Sequence, residues 1–310
     1  MEQKPESLRE AFGQVLEELG STMPEIVAVG ADTTESIRTS LFGDKFPDRL
    51  FNVGIAEQNM IGVSSGLALY GKKVICGTYM VFIERAIDQI RNTIGYCNLD
   101  VKIVGTHTGI SVGPDGGSHQ TIEDIAIMRA LPNMKVVAPC DFYSTKAITR
   151  EAITAKGPFY IRLPRSSLPG VYTDESIKIG KANLLRDGKD ITIIASGIMV
   201  QEALKAADLL KDAGISASVM DCHTIKPIDA EAIIKAATDT GRIITAEDHN
   251  IIGGLGSAVA EVLSTRRPTM IRMVGVKDTF GESGQPAELM SKYGISERSI
   301  FENAKEMVKL

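Results

Sequence analysis

Phe51-Asn52-Val53-Gly54-Ile55-Ala56-Glu57-Gln58-Asn59 is the stretch on which the organisation of the chain turns. At Glu57 a glycine-bearing loop gives way to a helix. Met60, Ile61, Val63 and Leu67 follow at helical spacing, and Tyr70-Gly71 ends the run. An acid in a first helical turn is ordinary, because the helix dipole favours it there. Two neighbours suggest more than a cap. Gly54 allows a backbone or a ligand to approach closely. The helix, carrying Gly62, Ser64, Ser65 and Gly66, reads as buried. A carboxylate held against a buried helix costs free energy unless a dedicated partner offsets it.

Working outward, short apolar strands alternate with helices. The pattern predicts a helix over 7–20, strands over 26–29 and 74–76, a helix over 83–96, a strand over 101–104 and a helix over 121–130. A strand over 135–138, a helix over 142–155 and a strand over 159–163 follow. From Pro164 to about Lys189 the periodicity stops, and proline, glycine and mixed charge read as a surface linker. Alternation resumes with strands over 191–195, 217–220, 243–245 and 270–273, and helices over 200–213, 229–237, 256–264 and 297–309. The expectation is α/β, with two domains, each a mostly parallel sheet flanked by helices. Their bounds are 1–170 and 189–310, joined by a linker over 171–188.

The 310 residues suit about two domains. A formal charge of −5 argues against nucleic acid as the main partner. Cys76, Cys97, Cys140 and Cys222 have no close paired spacing, so neither a disulfide framework nor a zinc site is expected. No apolar leader opens the chain and no apolar run reaches the ~18 residues of a membrane span. A reducing cytoplasm is the expected compartment.

Ligands of open α/β sheets bind at the carboxyl ends of the strands, and Asp32, Tyr79, His107 and Arg165 stand at those ends. The loop His107–Gln120 is long, glycine-rich and polar, with His107, Asp115 and His119, and long loops inside domains are more often functional than not. A metal site of His107, Asp115 and His119 lacks a compact ligand pair. A serine hydrolase lacks its Gly-x-Ser-x-Gly elbow. A dinucleotide site lacks Gly-x-Gly-x-x-Gly after the first strand.

Gly54-Ile55-Ala56-Glu57-Gln58, Thr78-Tyr79-Met80-Val81-Phe82 and Gly113-Pro114-Asp115-Gly116-Gly117-Ser118-His119-Gln120, in that order, resemble the pyrimidine-binding domain of transketolases. Thr224-Ile225-Lys226-Pro227, Glu247-Asp248-His249-Asn250, Gly253-Gly254-Leu255-Gly256 and Phe280-Gly281-Glu282-Ser283-Gly284 resemble that family's carboxy-terminal domain. The resemblance covers the whole chain, but only the latter half of a full-length transketolase. It implies a transferase that moves a two-carbon ketol unit from a ketose phosphate to an aldose phosphate, with thiamine diphosphate and Mg2+ as cofactors.

By position, the resemblance implies that Glu57 bonds a ring nitrogen of the aminopyrimidine and so activates the cofactor. A carboxyl kept protonated by burial suits that task. Phe82 would stack on the pyrimidine, Tyr79 would line the same pocket, and Asp32 would stand near the cofactor. Asp115 and His119 would hold the sugar, His119 with a catalytic part. His107, Arg165, Ser36 and Arg9 would grip the sugar and its phosphate end. Gly117-Ser118 stands where Pro-Thr is frequent in the family.

The family holds magnesium and diphosphate through a Gly-Asp-Gly motif that this sequence does not contain, so no metal ligand is assigned here. The resemblance then implies a separate amino-terminal subunit carrying that motif, an α2β2 heterotetramer, and no activity for this chain alone. No nucleic acid or membrane is implied as a partner. Deoxyxylulose-5-phosphate synthase-like proteins share the Glu57 and Phe82 surroundings, but tend to have Asp-Arg at Thr106-His107. The β subunit of 2-oxo acid dehydrogenases shares the layout but not the loop ending in His119-Gln120. A non-catalytic partner subunit would be expected to have lost Glu57, Asp115 or His119. His223 and His249 read as structural or interfacial.

Overall fold

In the computed structural model, which describes residues 4–309, strands and helices alternate through the chain. The described residues form two units: 4–108, 128–137 and 141–179 in the first, and 109–127, 138–140 and 180–309 in the second.

The first unit holds six parallel strands in the order Lys135–Val137, Phe159–Arg162, Val101–Thr106, Lys73–Tyr79, Ile26–Gly30 and Leu50–Asn52. Ile26–Gly30, Val101–Thr106 and Phe159–Arg162 are buried along their whole length. This is why they read as mostly apolar runs rather than as alternating ones, although two of them also bury a charged residue, Lys102 and Arg162. Helix Leu8–Thr22 starts at Ser7, whose hydroxyl accepts the Glu10 N–H (3.3 Å). Helix Phe142–Thr154 starts with a capping box of Asp141 and Ser144.

Two expectations need correction. The helix predicted over 83–96 is a series of short turns: Met80–Ile83, Glu84–Ala86, Ile87–Gln89 and a π-helical stretch, Ile90–Gly95. The Thr93 hydroxyl donates to the Gln89 carbonyl (2.7 Å) and also meets Ser65 Oγ (2.7 Å). It thus competes for a carbonyl of the regular ladder. Helix Glu57–Leu69 is buried on one side only. Met60, Ile61, Ser64 and Ser65 are buried, while Gln58, Asn59, Gly62, Gly66 and Leu69 are exposed. A Cβ built on Gly62 or Gly66 would meet nothing within 4 Å.

The second unit holds a five-stranded sheet in the order Met270–Val276, Arg242–Asn250, Ile191–Ala195, Ala217–Asp221 and Asn183–Arg186. All pairs are parallel except the last, an antiparallel edge. That edge strand lies within the stretch read as linker. Its alternation is too short to register as a strand. Strand Arg242–Asn250 runs five residues beyond the predicted 243–245, carrying Glu247-Asp248-His249-Asn250 into the sheet. None of the four cysteines forms a disulfide, and Cys97 is the exposed one. Among the described residues no helix is long and apolar enough to cross a membrane.

Lys102, only 1% exposed, is an unusual member of the first core. Its Nζ donates to the Asp100 carboxylate, the Ala155 carbonyl (2.9 Å) and the Gly157 carbonyl (2.7 Å). Burial pushes its pKa down to about 8, against the pull of Asp100. The unfolded chain therefore holds this proton up to a higher pH than the fold does. The resulting penalty is full below pH ~8 and is relieved as pH rises towards the ordinary lysine value near 10.4. Between those limits the wild type should gain on the order of 3 kcal/mol relative to Lys102→Met. Parallel urea titrations of both proteins across that range check this. A constant difference would show that Lys102 does not titrate differently on folding.

Candidate functional site

In the first unit, the carboxyl ends of Ile26–Gly30, Leu50–Asn52, Lys73–Tyr79 and Val101–Thr106 bring the site residues forward. The first two strand ends are tied together by Asn52, whose Oδ1 accepts the N–H of Asp32 (3.0 Å) and of Gly54 (3.1 Å). Both donors, Asp32 and Gly54, have left-handed backbone, at φ 61° and 75°. Glycine takes that conformation freely and aspartate more readily than most residues. The quoted stretch thus turns sharply before its helix, and Glu57 is the first helical residue.

Glu57 is 6% exposed and lines a cleft of about 400 Å³ with Ala31, Asp32, Thr33, Ile55, Phe82 and Arg85. The ion pair recorded for it is loose: Arg85 Nε stands 3.7 Å from Glu57 Oε2, on a side chain 75% exposed. Pairs of that kind contribute little. Gln58 Nε2 donates to the Arg85 carbonyl (3.0 Å), which joins the head of the helix to the turn Glu84–Ala86.

Beside the cleft stands a row of three rings. Phe82 and Tyr79 stack at 5.4 Å between centroids, and Tyr79 and His107 at 3.7 Å. His107 has φ 55° and its Nδ1 is 3.0 Å from Thr106 Oγ1. A non-glycine residue in left-handed backbone at a strand end is a pattern met at functional sites.

Arg9 joins two further segments. Its Nη1 donates to the Ser36 carbonyl (2.7 Å) and its Nη2 to the Arg165 carbonyl (3.1 Å). Burial holds the Arg9 guanidinium below its ordinary value; Tyr79 works against this, while Arg38 and Arg165 add to it. Its buried Nε has no hydrogen-bond partner among the described residues. Arg38 and Arg165 are therefore close enough to repel Arg9, and Arg38 is itself paired with Glu10 (3.2 Å).

Asp115 and His119 stand on the segment 109–127, which is counted with the second unit. Asp115 is exposed and His119 half-buried, with its Nδ1 3.0 Å from Ser118 Oγ. Among the described residues no three His, Cys, Asp or Glu side chains converge as metal ligands. His223 is buried, with its pKa pushed down by burial to about 4, so it stays neutral near pH 7.

Sequence reading missed Asn52, although it lies inside the quoted stretch, and Arg85 as the neighbour of Glu57. An asparagine at a strand end, two residues before a glycine, is a signal that could have found the first.

A family profile described as transketolase, pyrimidine binding domain, matches residues 4–171, and one described as transketolase, C-terminal domain, matches residues 180–300. A Methanocaldococcus jannaschii protein, provisionally named transketolase C-terminal section, is 47% identical over 308 residues, covering 97% of this chain and 96% of its own length. The 6-deoxy-6-sulfo-D-fructose transketolase subunit of a Clostridium species is 41% identical over 306 residues, covering 97% and 94%. A solved structure described as a split gene transketolase, inactive beta4 tetramer, aligns with a TM-score of 0.92 at 47% identity and covers 98% of this chain and 99% of its own.

Proposed function

Because this chain belongs to the transketolase family, with that family's two domains in order, we propose that it is the carboxy-terminal subunit of a split, thiamine diphosphate-dependent transketolase. With a separate amino-terminal subunit it moves a two-carbon ketol unit from a ketose phosphate to an aldose phosphate. Residues 1–170 form its pyrimidine-binding domain, 171–188 a linker and 189–310 its carboxy-terminal domain.

The observation that carries this reading is a buried carboxyl at the wall of an open cleft, beside an aromatic ring. Glu57 and Phe82 fit an aminopyrimidine: one offers a hydrogen-bonding group at a ring nitrogen, the other a face to stack on. Thiamine diphosphate, when bound, supplies the carbon nucleophile that attacks the ketose carbonyl. Glu57 holds the proton at the ring nitrogen. Exposed Arg85 gives way as that bond forms. Phe82 and Tyr79 hold the ring's plane, with Asp32 at its margin. Asp115 and His119 hold the sugar hydroxyls and carbonyl, and His119 manages a proton there. His107 and Arg165 grip the sugar towards its phosphate. Arg9 supports that end by fixing the carbonyls of Ser36 and Arg165.

Magnesium and the diphosphate end belong to the partner, whose Gly-Asp-Gly motif has no counterpart in this sequence. Two features support a second chain. Relatives of this length are named as a section and a subunit. And Gly62 and Gly66 are open on helix Glu57–Leu69, near exposed Leu69 and Tyr70. A helical glycine costs about 1 kcal/mol against alanine, and nothing within this unit's packing demands it at either place. The reading takes the assembly as a heterotetramer of two of each chain, in a reducing cytoplasm, where cysteines outside any disulfide are ordinary.

The deciding experiment is co-expression with a Gly-Asp-Gly-bearing partner and an assay with thiamine diphosphate, magnesium and either xylulose 5-phosphate or pyruvate. Turnover of the ketose phosphate is expected. Turnover of pyruvate alone would overturn the reading. In the same assay Arg165→Ala should raise the donor KM by roughly tenfold to a hundredfold with kcat little changed, as loss of a charge-assisted phosphate contact does. An unchanged KM would remove Arg165 from the phosphate end.

A further inference from the structure

Four consecutive residues at the carboxyl end of strand Arg242–Asn250 each hold a different piece of backbone. Glu247 accepts the N–H of Leu255 (2.7 Å) and of Gly256 (2.8 Å), at the head of helix Leu255–Arg266. Asp248 accepts the N–H of Ile110 on Oδ1 (2.8 Å) and that of Ser111 on Oδ2 (3.3 Å). His249 Nε2 accepts the Ala126 N–H (3.3 Å), the role left to it when Nδ1 donates to the Asn250 carbonyl (2.6 Å). The Asn250 N–H donates to the Ile122 carbonyl (2.8 Å). Three of these four grips fall on the segment 109–127, near both of its ends.

The same segment is held from other sides of its own unit. Gly109 N–H donates to the Thr121 carbonyl (2.8 Å), which closes the neck of the loop. Gly109 has φ 78°, and a Cβ there would lie 2.1 Å from Asp248 Oδ2. Glycine is therefore required twice over, for the turn and for the approach of the carboxylate. Gln120 Nε2 stands within hydrogen-bond reach of the carbonyls of Ile110 (3.3 Å), Gly113 (3.2 Å) and Glu282 (3.0 Å). A Cβ on Gly117 would lie 2.6 Å from the Gly281 carbonyl. Asp248 and Gln120 are both buried, and bonds from a buried carboxylate to backbone N–H groups are among the stronger ones.

We propose that the carboxy-terminal domain sets the geometry of the substrate loop, with Asp248 as the positioning residue for Asp115 and His119. This rests on the reading above that Asp115 and His119 meet the sugar. A loop rich in glycine has many conformations available when it is untethered. Holding it in one of them raises affinity for the sugar by removing that freedom beforehand. Asp248 therefore governs binding of the ketose donor.

The test combines hydrogen exchange on the full chain with kinetics of the complex formed with the amino-terminal partner. Asp248→Asn keeps the shape but presents one acceptor to two N–H groups. It should lose amide protection at 110–113 and raise the donor KM about tenfold, with thiamine diphosphate affinity held within about threefold. Gln120→Glu, which removes the donors of the second brace, should move the same quantities in the same direction. Unchanged exchange at 110–113 in Asp248→Asn overturns the clamp. A parallel fall in kcat, cofactor affinity and melting temperature, with no separate effect on donor KM, overturns it too, because that is the signature of an ordinary core residue. Loosened exchange with an unchanged donor KM overturns the proposal at its premise, by showing that Asp115 and His119 do not meet the sugar. Asp248→Ala should exceed Asp248→Asn in every expected change. If it fails to fold, Asp248→Asn and Gln120→Glu carry the decision.

Discussion

Glu57→Gln in the reconstituted enzyme lowers kcat by roughly a thousandfold, the scale of losing a positioned proton donor or acceptor. Donor KM should stay close to its wild-type value, because the proposed sugar contacts are made by other residues. The substitution is nearly isosteric, and the ion pair it removes is loose, 3.7 Å from a largely exposed Arg85. The melting temperature should therefore hardly move. Arg85→Ala is the companion variant. If Arg85 merely rests against the carboxyl, its removal costs little turnover. If it is the true partner of Glu57, the two variants fail alike. Normal turnover in Glu57→Gln would end the reading of Glu57 as the residue that activates the cofactor and would revive a non-catalytic role for the chain.

The second large effect is dependence on another polypeptide. Purified alone, this chain should show no ketol transfer above the buffer blank, whatever the concentration of thiamine diphosphate and magnesium. Activity should appear on adding the amino-terminal subunit and saturate at equimolar chains. The reason is coordination chemistry. Magnesium requires oxygen ligands in near-octahedral array together with the diphosphate, and the family's Gly-Asp-Gly motif for that purpose does not occur in this sequence. Full turnover by the isolated chain would refute the split-site reading. Bulky substitution at Gly62 or Gly66 offers an independent view, since this unit's own packing leaves room there.

Much of the fold was legible because its signal is local. Fully buried parallel strands favour largely apolar runs, and Ile26–Gly30 and Ile191–Ala195 carry them. The broken segment after Tyr79 was not legible. Its residues favour a helix one by one, and nothing local marks where α, 3-10 and π geometry succeed one another between Met80 and Gly95. Strand Asn183–Arg186 was missed for the opposite reason. Four half-exposed residues carry too little pattern, and only pairing with Ala217–Asp221 makes them a strand.

The sequence by itself determined the α/β class, the succession of two domains, and the neighbourhoods of Glu57, Phe82 and the loop bearing Asp115 and His119. The fold class depends on composition and spacing within about a dozen residues, where side-chain periodicity speaks directly, whereas the weight placed on Glu57, Phe82 and the loop came from their resemblance to transketolase motifs. Tertiary structure alone decided which groups meet. It set Asn52 between Asp32 and Gly54, stacked Tyr79 on His107, left one face of the Glu57 helix open, and placed Asp248 on backbone N–H groups as far as 138 positions away. A carboxylate can accept from any donor that reaches it, so its partner is chosen by strand order and loop closure, which no local pattern encodes.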